Sequence, residues 1–262
     1  MTSPILIDRH AAGYAVITLN RPDAMNALSR DLREQFVSAF ESCQQDSNVK
    51  AVIVTGSGKA FCAGFDLKEM ASGFDANVAE ASENMIATVM ANFDGPIIAA
   101  VNGFAITGGF ELALACDVII ASTNAKFADT HARVGVLPGW GLSQRLPRLI
   151  GLSRAKEMSF TGNTIDAQQA CEWGLVNHVV APEALLTSAQ KLAEEMCGCV
   201  PGIVSKYKQL IDDGYSMPLV DALEYEAEIG MQSAKAASAA MIAQRREQVL
   251  ARGRDQGKNQ KD

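Results

Sequence analysis

Short runs of β-branched and apolar residues recur along the first two-thirds of the chain: YAVITLN (14–20), KAVIVTG (50–56), PIIAAVNG (96–103) and DVIIAST (117–123). Each closes on a Gly, Asn or Ser turn signal, the pattern of strands bounded by turns. Between them lie stretches with helical spacing. In SRDLREQFVSAFESCQQD (29–46), Leu32, Phe36, Val37 and Phe40 fall at i, i+4, i+5 and i+8, so one face of a helix is apolar. Ser29 precedes that series and predicts its N-cap, because a hydroxyl there accepts from a free N–H of the first turn. Strands alternating with helices place this region in the α/β class. From about residue 182 the pattern changes. Segments 182–197 and 217–251 are rich in Ala, Glu, Gln and Lys with few β-branched runs, and they predict helices. Helices with apolar stripes and no sheet of their own need something to cover, either the core or a neighbouring subunit.

A length of 262 residues with 48% apolar composition is enough for one main domain plus an accessory region. The net charge of −7 argues against a nucleic-acid surface, which would need a basic patch. Residues 245–262 hold six Arg/Lys against three Asp/Glu, which reads as a solvated C-terminal face. The six cysteines form no C-x-x-C pair, and Cys197-Gly198-Cys199 has no His nearby in sequence, so they read as buried thiols in a reducing compartment rather than metal ligands. MTSPILIDRH lacks a charged segment followed by a long apolar one, and no apolar run approaches the ~20 residues of a membrane span. The expectation is a cytoplasmic protein with no nucleic-acid or membrane partner and no metal.

Two glycine-bearing turns carry candidate chemistry. GSGKAFCAGFDLKEM (56–70) surrounds a strand-to-helix switch and satisfies neither the dinucleotide nor the phosphate-loop pattern. VNGFAITGGFELALACD (101–117) also leads from strand to helix, with Gly108 and Gly109 at the junction and Glu111 in the first helical turn. Two such turns can aim one backbone N–H each at a single oxygen, the requirement of an oxyanion hole. A Gly pair before a helix and an early-turn Glu are also ordinary helix-start features, so the pattern alone leaves both readings open.

At these residues the chain resembles the crotonase family, the enoyl-CoA hydratase/isomerase superfamily. RPDAMNAL (21–28) is similar to that family's CoA-binding loop, GSGKAFCAGFDLKEM to its first oxyanion turn, and PIIAAVNGFAITGGFELALACD (96–117) to its second. GVLPGWGLSQRLPRLIG (135–151) resembles its active-site loop, and TGNTIDAQQACEWGLVNHVV (161–180) the stretch leading to the C-terminal helices. The resemblance implies a ClpP-like spiral of ββα units over residues 1–195 and a helical region over 196–262 that builds a homotrimer or homohexamer. It implies a coenzyme A thioester as substrate and no further cofactor. The N–H groups of Phe65 and Gly108 would form the oxyanion hole. Ala24, Asn26, Ala27, Ala63, Gly64, Asp66, Leu67 and Lys68 would lie along the CoA and substrate, and the N–H of Gly139 would contact the catalytic water. Trp140 stands where many relatives have a small residue, which implies a narrower acyl pocket.

Hydratases typical of the family place two glutamates across one water. Glu111 matches the first; the second position falls on His131. Three readings stay open. His131 orients the water or exchanges a proton, since imidazole titrates near neutrality; or it is a structural hydrogen-bonding residue; or the lost carboxylate marks a one-base enzyme such as an isomerase. FADTHARVGVLPGWGLSQRL resembles a branch of monofunctional enoyl-CoA hydratases that includes plant members, which favours hydration of a trans-2-enoyl-CoA. The alternatives are enoyl-CoA isomerisation by Glu111 alone and a non-catalytic acyl-CoA-binding member. Asp129, two residues from His131, is a candidate substitute for the second carboxylate, but its side chain need not point the same way. Cys62 reads as a buried apolar residue and not a nucleophile, and Met85 and Met90 as core filling or pocket lining.

Overall fold

The computed structural model describes residues 3–71 and 85–259. They pack as two compact units, Met1–Ser205 and Lys206–Asp262. The first opens with an antiparallel hairpin, β1 (Ile5–His10) and β2 (Tyr14–Leu19), followed by a helix at Arg30–Gln45. The Ser29 hydroxyl accepts from the Leu32 N–H at 3.3 Å, so the predicted cap is in place. After it come strand pairs, each leading toward a helix: β3 (Ala51–Gly56) and β4 (Ala60–Cys62), β5 (Ile97–Val101) and β6 (Phe104–Ile106), β7 (Val118–Ser122) and β8 (Lys126–Ala128). The first member of each pair joins a six-stranded sheet of order β1-β2-β3-β5-β7-β10, where β10 is His178–Val180. The second joins a four-stranded sheet of order β4-β6-β8-β9, where β9 is Ile165–Asp166. Successive pairs stack in parallel, so the chain advances as the expected spiral of ββα turns.

Both faces of the large sheet are covered, which explains why its strands read as unbroken apolar runs. Ile17, Leu19, Val52, Val54, Ala99 and Val101 point into a core shared with Phe36, Phe40, Phe61, Phe110 and Phe127. Their neighbours Val16, Ala51, Ile53, Ile98 and Ala100 point the other way, onto Leu185, Ala189 and Ala193 of the helix Leu185–Cys197. Met90 belongs to the first core, and Met85 is exposed.

The second unit is helical, with Leu219–Ala236 and Ala239–Asn259 following a helix at Ile203–Tyr215 that begins in the first unit. In the single chain no side chain of Ile203–Tyr215 or Leu219–Ala236 is buried, and Leu219, Val220 and Leu223 stand in solvent. Among the described residues no helix is long and apolar enough to cross a membrane.

Candidate active site

The site hangs from the ends of three adjacent parallel strands of the small sheet. β4 runs into Ala63, Gly64 and Phe65; β6 into Thr107, Gly108 and Glu111; β8 into Asp129, Thr130 and His131. Gly64 has φ +87°, and a Cβ on it would lie 2.9 Å from the Ile106 carbonyl oxygen and 3.2 Å from the Gly108 nitrogen. Only glycine lets the first two turns come this close. The Gly64 carbonyl accepts from the Leu28 N–H at 2.8 Å. In a trans peptide the following N–H, that of Phe65, points the opposite way.

Gly108 opens the helix Gly108–Leu114 behind Thr107, which holds φ 54° and ψ −114°, a region costly for a β-branched residue. Two anchors keep it there. Its N–H donates to the Ala128 carbonyl at 2.9 Å, and its hydroxyl hydrogen-bonds that of Thr130. Among the described residues neither the Phe65 nor the Gly108 N–H finds a backbone acceptor. Two donors on touching turns, both without an acceptor among the described residues, have the form of an oxyanion site.

Glu111 lies one helical turn beyond Gly108 and is 2% exposed. Its Oε1 accepts from the N–H of Trp140 at 2.7 Å and of Leu142 at 3.3 Å, which ties the carboxyl group to the loop. Its Oε2 faces Nε2 of the buried His131 at 3.5 Å. On the far side of the ring, Nδ1 lies 2.6 Å from Oδ1 of Asp129, which is also buried. Burial alone would lower the imidazole pKa, but hydrogen bonds and charge from Asp129 and Glu111 outweigh it and raise it from 6.5 to about 9. Asp129 moves the other way: burial opposes its charge, yet hydrogen bonds from His131 and the Ser159 hydroxyl hold its carboxyl below the usual range. At neutral pH His131 is therefore an imidazolium, lying between the carboxyl groups of Asp129 and Glu111.

The remaining residues singled out in the sequence divide into two groups. Phe65 stacks edge-on against the buried Trp140 with ring centroids 5.3 Å apart, and the Arg33 guanidinium covers it at 5.4 Å. These rings form an apolar wall beside the two N–H groups. Cys62 is fully buried on β4 and burial pushes its thiol up to about 12, which suits an apolar filler. Asn26 has no exposed surface: Oδ1 accepts from the Arg21 N–H, and Nδ2 donates to the carbonyls of Ser57, Ala60 and Phe61 at 2.8–3.2 Å. It pins the loop carrying Ala24 and the buried Ala27 onto β4. Asp66 pairs with Arg21 at 3.1 Å. Ala63 is half-buried, and Leu67 and Lys68 are exposed on the helix Leu67–Ala71. Gly139 is exposed, and the loop N–H groups bonded to Glu111 are those of Trp140 and Leu142.

Two contributors escaped the sequence reading: the Thr107–Thr130 hydroxyl bond and the Leu142 N–H. Asp129 is a candidate there for the second carboxylate; in the structure its carboxylate instead folds back on the His131 N–H and ring, as an Asp two residues before a backbone N–H commonly does. Among the described residues no group of three His, Cys, Asp or Glu side chains is arranged to hold a metal ion.

Comparison with known proteins shows the family. The family model described as enoyl-CoA hydratase/isomerase matches residues 9–249. The chain belongs to the enoyl-CoA hydratase/isomerase family. Among curated family members it is 44% identical over 224 residues to the probable peroxisomal enoyl-CoA hydratase 1 of Arabidopsis thaliana, an alignment covering 86% of this chain and 84% of that protein. It is 40% identical over 220 residues to the short-chain-enoyl-CoA hydratase of Clostridium acetobutylicum, covering 82% and 83%. Among solved structures, the enoyl-CoA hydratase of Bacillus anthracis superposes with a TM-score of 0.86 at 37% identity, covering 94% of this chain and 96% of that one. The family's ββα spiral is thus the fold found here.

The raised pKa of His131 makes a stability prediction with a definite sign. A group protonated more tightly in the folded state stabilises fully below its unfolded value of 6.5, and that contribution is lost as pH rises through about 9. The shift corresponds to roughly 3 kcal/mol. The thermal midpoint should therefore drop between pH 6.5 and 9.5 by several degrees more in the native protein than in His131→Gln. Equal drops in scanning calorimetry would show that the ring is not held charged.

Proposed function

We propose that this site adds water across the double bond of a trans-2-enoyl-CoA to give the 3-hydroxyacyl-CoA. The observation that carries the reading is Glu111 Oε2 facing His131 Nε2 at 3.5 Å, beside the N–H groups of two touching glycine turns. A carboxylate and an imidazolium at that separation can both reach one water at ordinary hydrogen-bond length.

In this reading Glu111 takes a proton from water as the oxygen bonds to C3. The thioester oxygen gains the negative charge of the enolate, and the Phe65 and Gly108 N–H groups hold it. One such donor contributes about 2.7–4 kcal/mol in comparable sites. His131 then gives a proton to C2, and the proton on Glu111 crosses to Nε2, which restores both groups. Water is the only atom source consumed. Phe65 and Trp140 form the wall of a narrow acyl pocket. Ala24, Ala27, Ala63, Gly64, Asp66, Leu67 and Lys68 border the CoA moiety, with Asn26 fixing the loop from beneath. The Gly139 N–H turns toward the water. No cofactor beyond the thioester substrate is needed.

The helices from residue 196 onward, with their uncovered apolar side chains, are assigned to a homotrimer or homohexamer. A cytoplasmic location is the simplest reading of the chain, although relatives include proteins named as peroxisomal and mitochondrial.

The assay is direct. Crotonyl-CoA should lose its conjugated-thioester absorbance on adding the protein, and a 3-enoyl-CoA should not be converted. His131→Gln should lower kcat for crotonyl-CoA roughly 10²-fold, the lower end for a lost proton-transfer group. Turnover of the 3-enoyl-CoA without hydration would make this an isomerase, and CoA binding without turnover of either would make it a silent binder.

A further inference from the structure

We infer that Asp129 is the positioning residue of this site: one carboxylate oxygen holds both N–H groups of His131, fixes the ring and presents Nε2 to Glu111. The inference rests on His131 transferring a proton as proposed above. Oδ1 of Asp129 lies 3.1 Å from the His131 backbone nitrogen and 2.6 Å from its ring Nδ1. Two donors of one residue converging on one oxygen leave the imidazole little rotational freedom. A carboxylate only accepts, so Nδ1 carries the proton and the exchangeable position is Nε2.

Charge counting explains why this arrangement serves where family hydratases use a second glutamate. The groups facing His131 are Glu111 from the helix Gly108–Leu114 and Asp129 from its own segment; the helix Leu152–Thr161, packed on the turn His131–Val134, brings the Ser159 hydroxyl to Asp129. With Glu111 as the base that the proposed reaction needs, two carboxylates and one imidazolium sum to −1. One carboxylate and one neutral carboxylic acid give the same sum. The Asp129–His131 pair is therefore a neutral proton donor in place of a carboxylic acid. Without Asp129, only Glu111 would remain to offset burial, so the ring would hold its proton less tightly and in a less fixed orientation.

Asp129→Asn tests this, because it keeps the shape and an accepting oxygen while removing the charge. With crotonyl-CoA, kcat should fall roughly 10- to 100-fold, as for other lost orienting partners, with KM within about twofold. The alkaline limb of kcat should move down by about one pH unit or more. Asp129→Glu, which restores the charge, should recover part of the rate and of the limb. Imidazole NMR gives a readout independent of turnover. The chain has three histidines, and His131→Gln identifies the relevant signal. It should titrate near 9 in the native protein and at least about one unit lower in Asp129→Asn. A folded Asp129→Asn with unchanged limb and titration overturns the inference. If that variant is recovered unfolded, Asp129→Glu decides in its place, since its longer side chain keeps the charge but not the hold of one oxygen on both N–H groups: a signal between the ordinary 6.5 and the native value, with lowered kcat, supports the role of Asp129, and a signal or a kcat at its native value overturns it. The two readings fail separately. Native turnover in His131→Gln removes the proposed role of His131, whereas loss there with none in Asp129→Asn removes only that of Asp129.

Discussion

Glu111→Gln is expected to reduce kcat for crotonyl-CoA by roughly 10²- to 10⁴-fold, the range for removing a positioned acid or base. The amide is isosteric and keeps an oxygen for the Trp140 and Leu142 N–H groups, so the loop stays in place. What changes is the atom facing His131. An NH₂ group there can neither take a proton from water nor pair with an imidazolium, and it sets donor against donor. Since Glu111 is 2% exposed, bulk water cannot substitute for the lost carboxylate. KM should hold within a few-fold, because the residues proposed to border the CoA lie elsewhere. Steady-state kinetics on the purified variant, with its fold checked by circular dichroism, is the measurement. A kcat within tenfold of native would remove Glu111 from the chemistry.

Gly109→Ala should damage the protein more broadly, through packing rather than charge. A Cβ at Gly109 would sit 2.0 Å from the Cys62 carbonyl oxygen and 2.6 Å from its carbon. The obstacle is backbone of β4, which cannot rotate away as a side chain would. Forced overpacking typically costs 1–3 kcal/mol and sometimes more, and a backbone clash belongs at the upper end. That corresponds to a loss of about 10 °C in Tm for a unit of this size. Because β4 leads directly to Gly64 and Phe65, the shift would also separate the two N–H donors, so activity should fall even in the folded fraction. Gly108→Ala is the control. Its Cβ would meet the Phe65 ring at 3.4 Å, an ordinary contact, and stability should hold. Equal thermal midpoints for native protein and Gly109→Ala would contradict the packing argument.

The large sheet was readable in advance because β2, β3, β5 and β7 are buried on both faces, and such strands must be continuous apolar runs. The helix after Ser29 was readable because an amphipathic stripe and a capping hydroxyl coincide. β4, β6 and β8 were not. Each has three residues, AFC, FAI and KFA, too short for alternation to register, and each is stabilised by its neighbours in the spiral instead of by local preference. The same holds at the site. Two glycine turns and a first-turn glutamate could be picked out as candidates from spacing. That one oxygen of Asp129 would hold His131 depends on side-chain rotation, which spacing does not encode. Asn26 illustrates the converse case: it sits within a loop resembling a ligand-binding one, yet its polar groups are all satisfied by protein.

The pairing Ile106 with Ala128 and Ala105 with Phe127, in neighbouring short strands, aligns the segment bearing Glu111 with the segment bearing Asp129 and His131. The sheet thus acts as a ruler whose graduation is one residue pair. Sliding β8 by two residues along β6 would displace His131 by about 7 Å, beyond reach of Glu111, while leaving the same side chains facing the core. Conversely, any residue grafted onto the end of one of these strands inherits a fixed distance to its counterpart on the next. With His131 and Asp129 in the roles proposed above, a frame of that kind lets proton-donor chemistry be exchanged at one strand end, carboxylic acid for an imidazole with its carboxylate, without redesign of the rest.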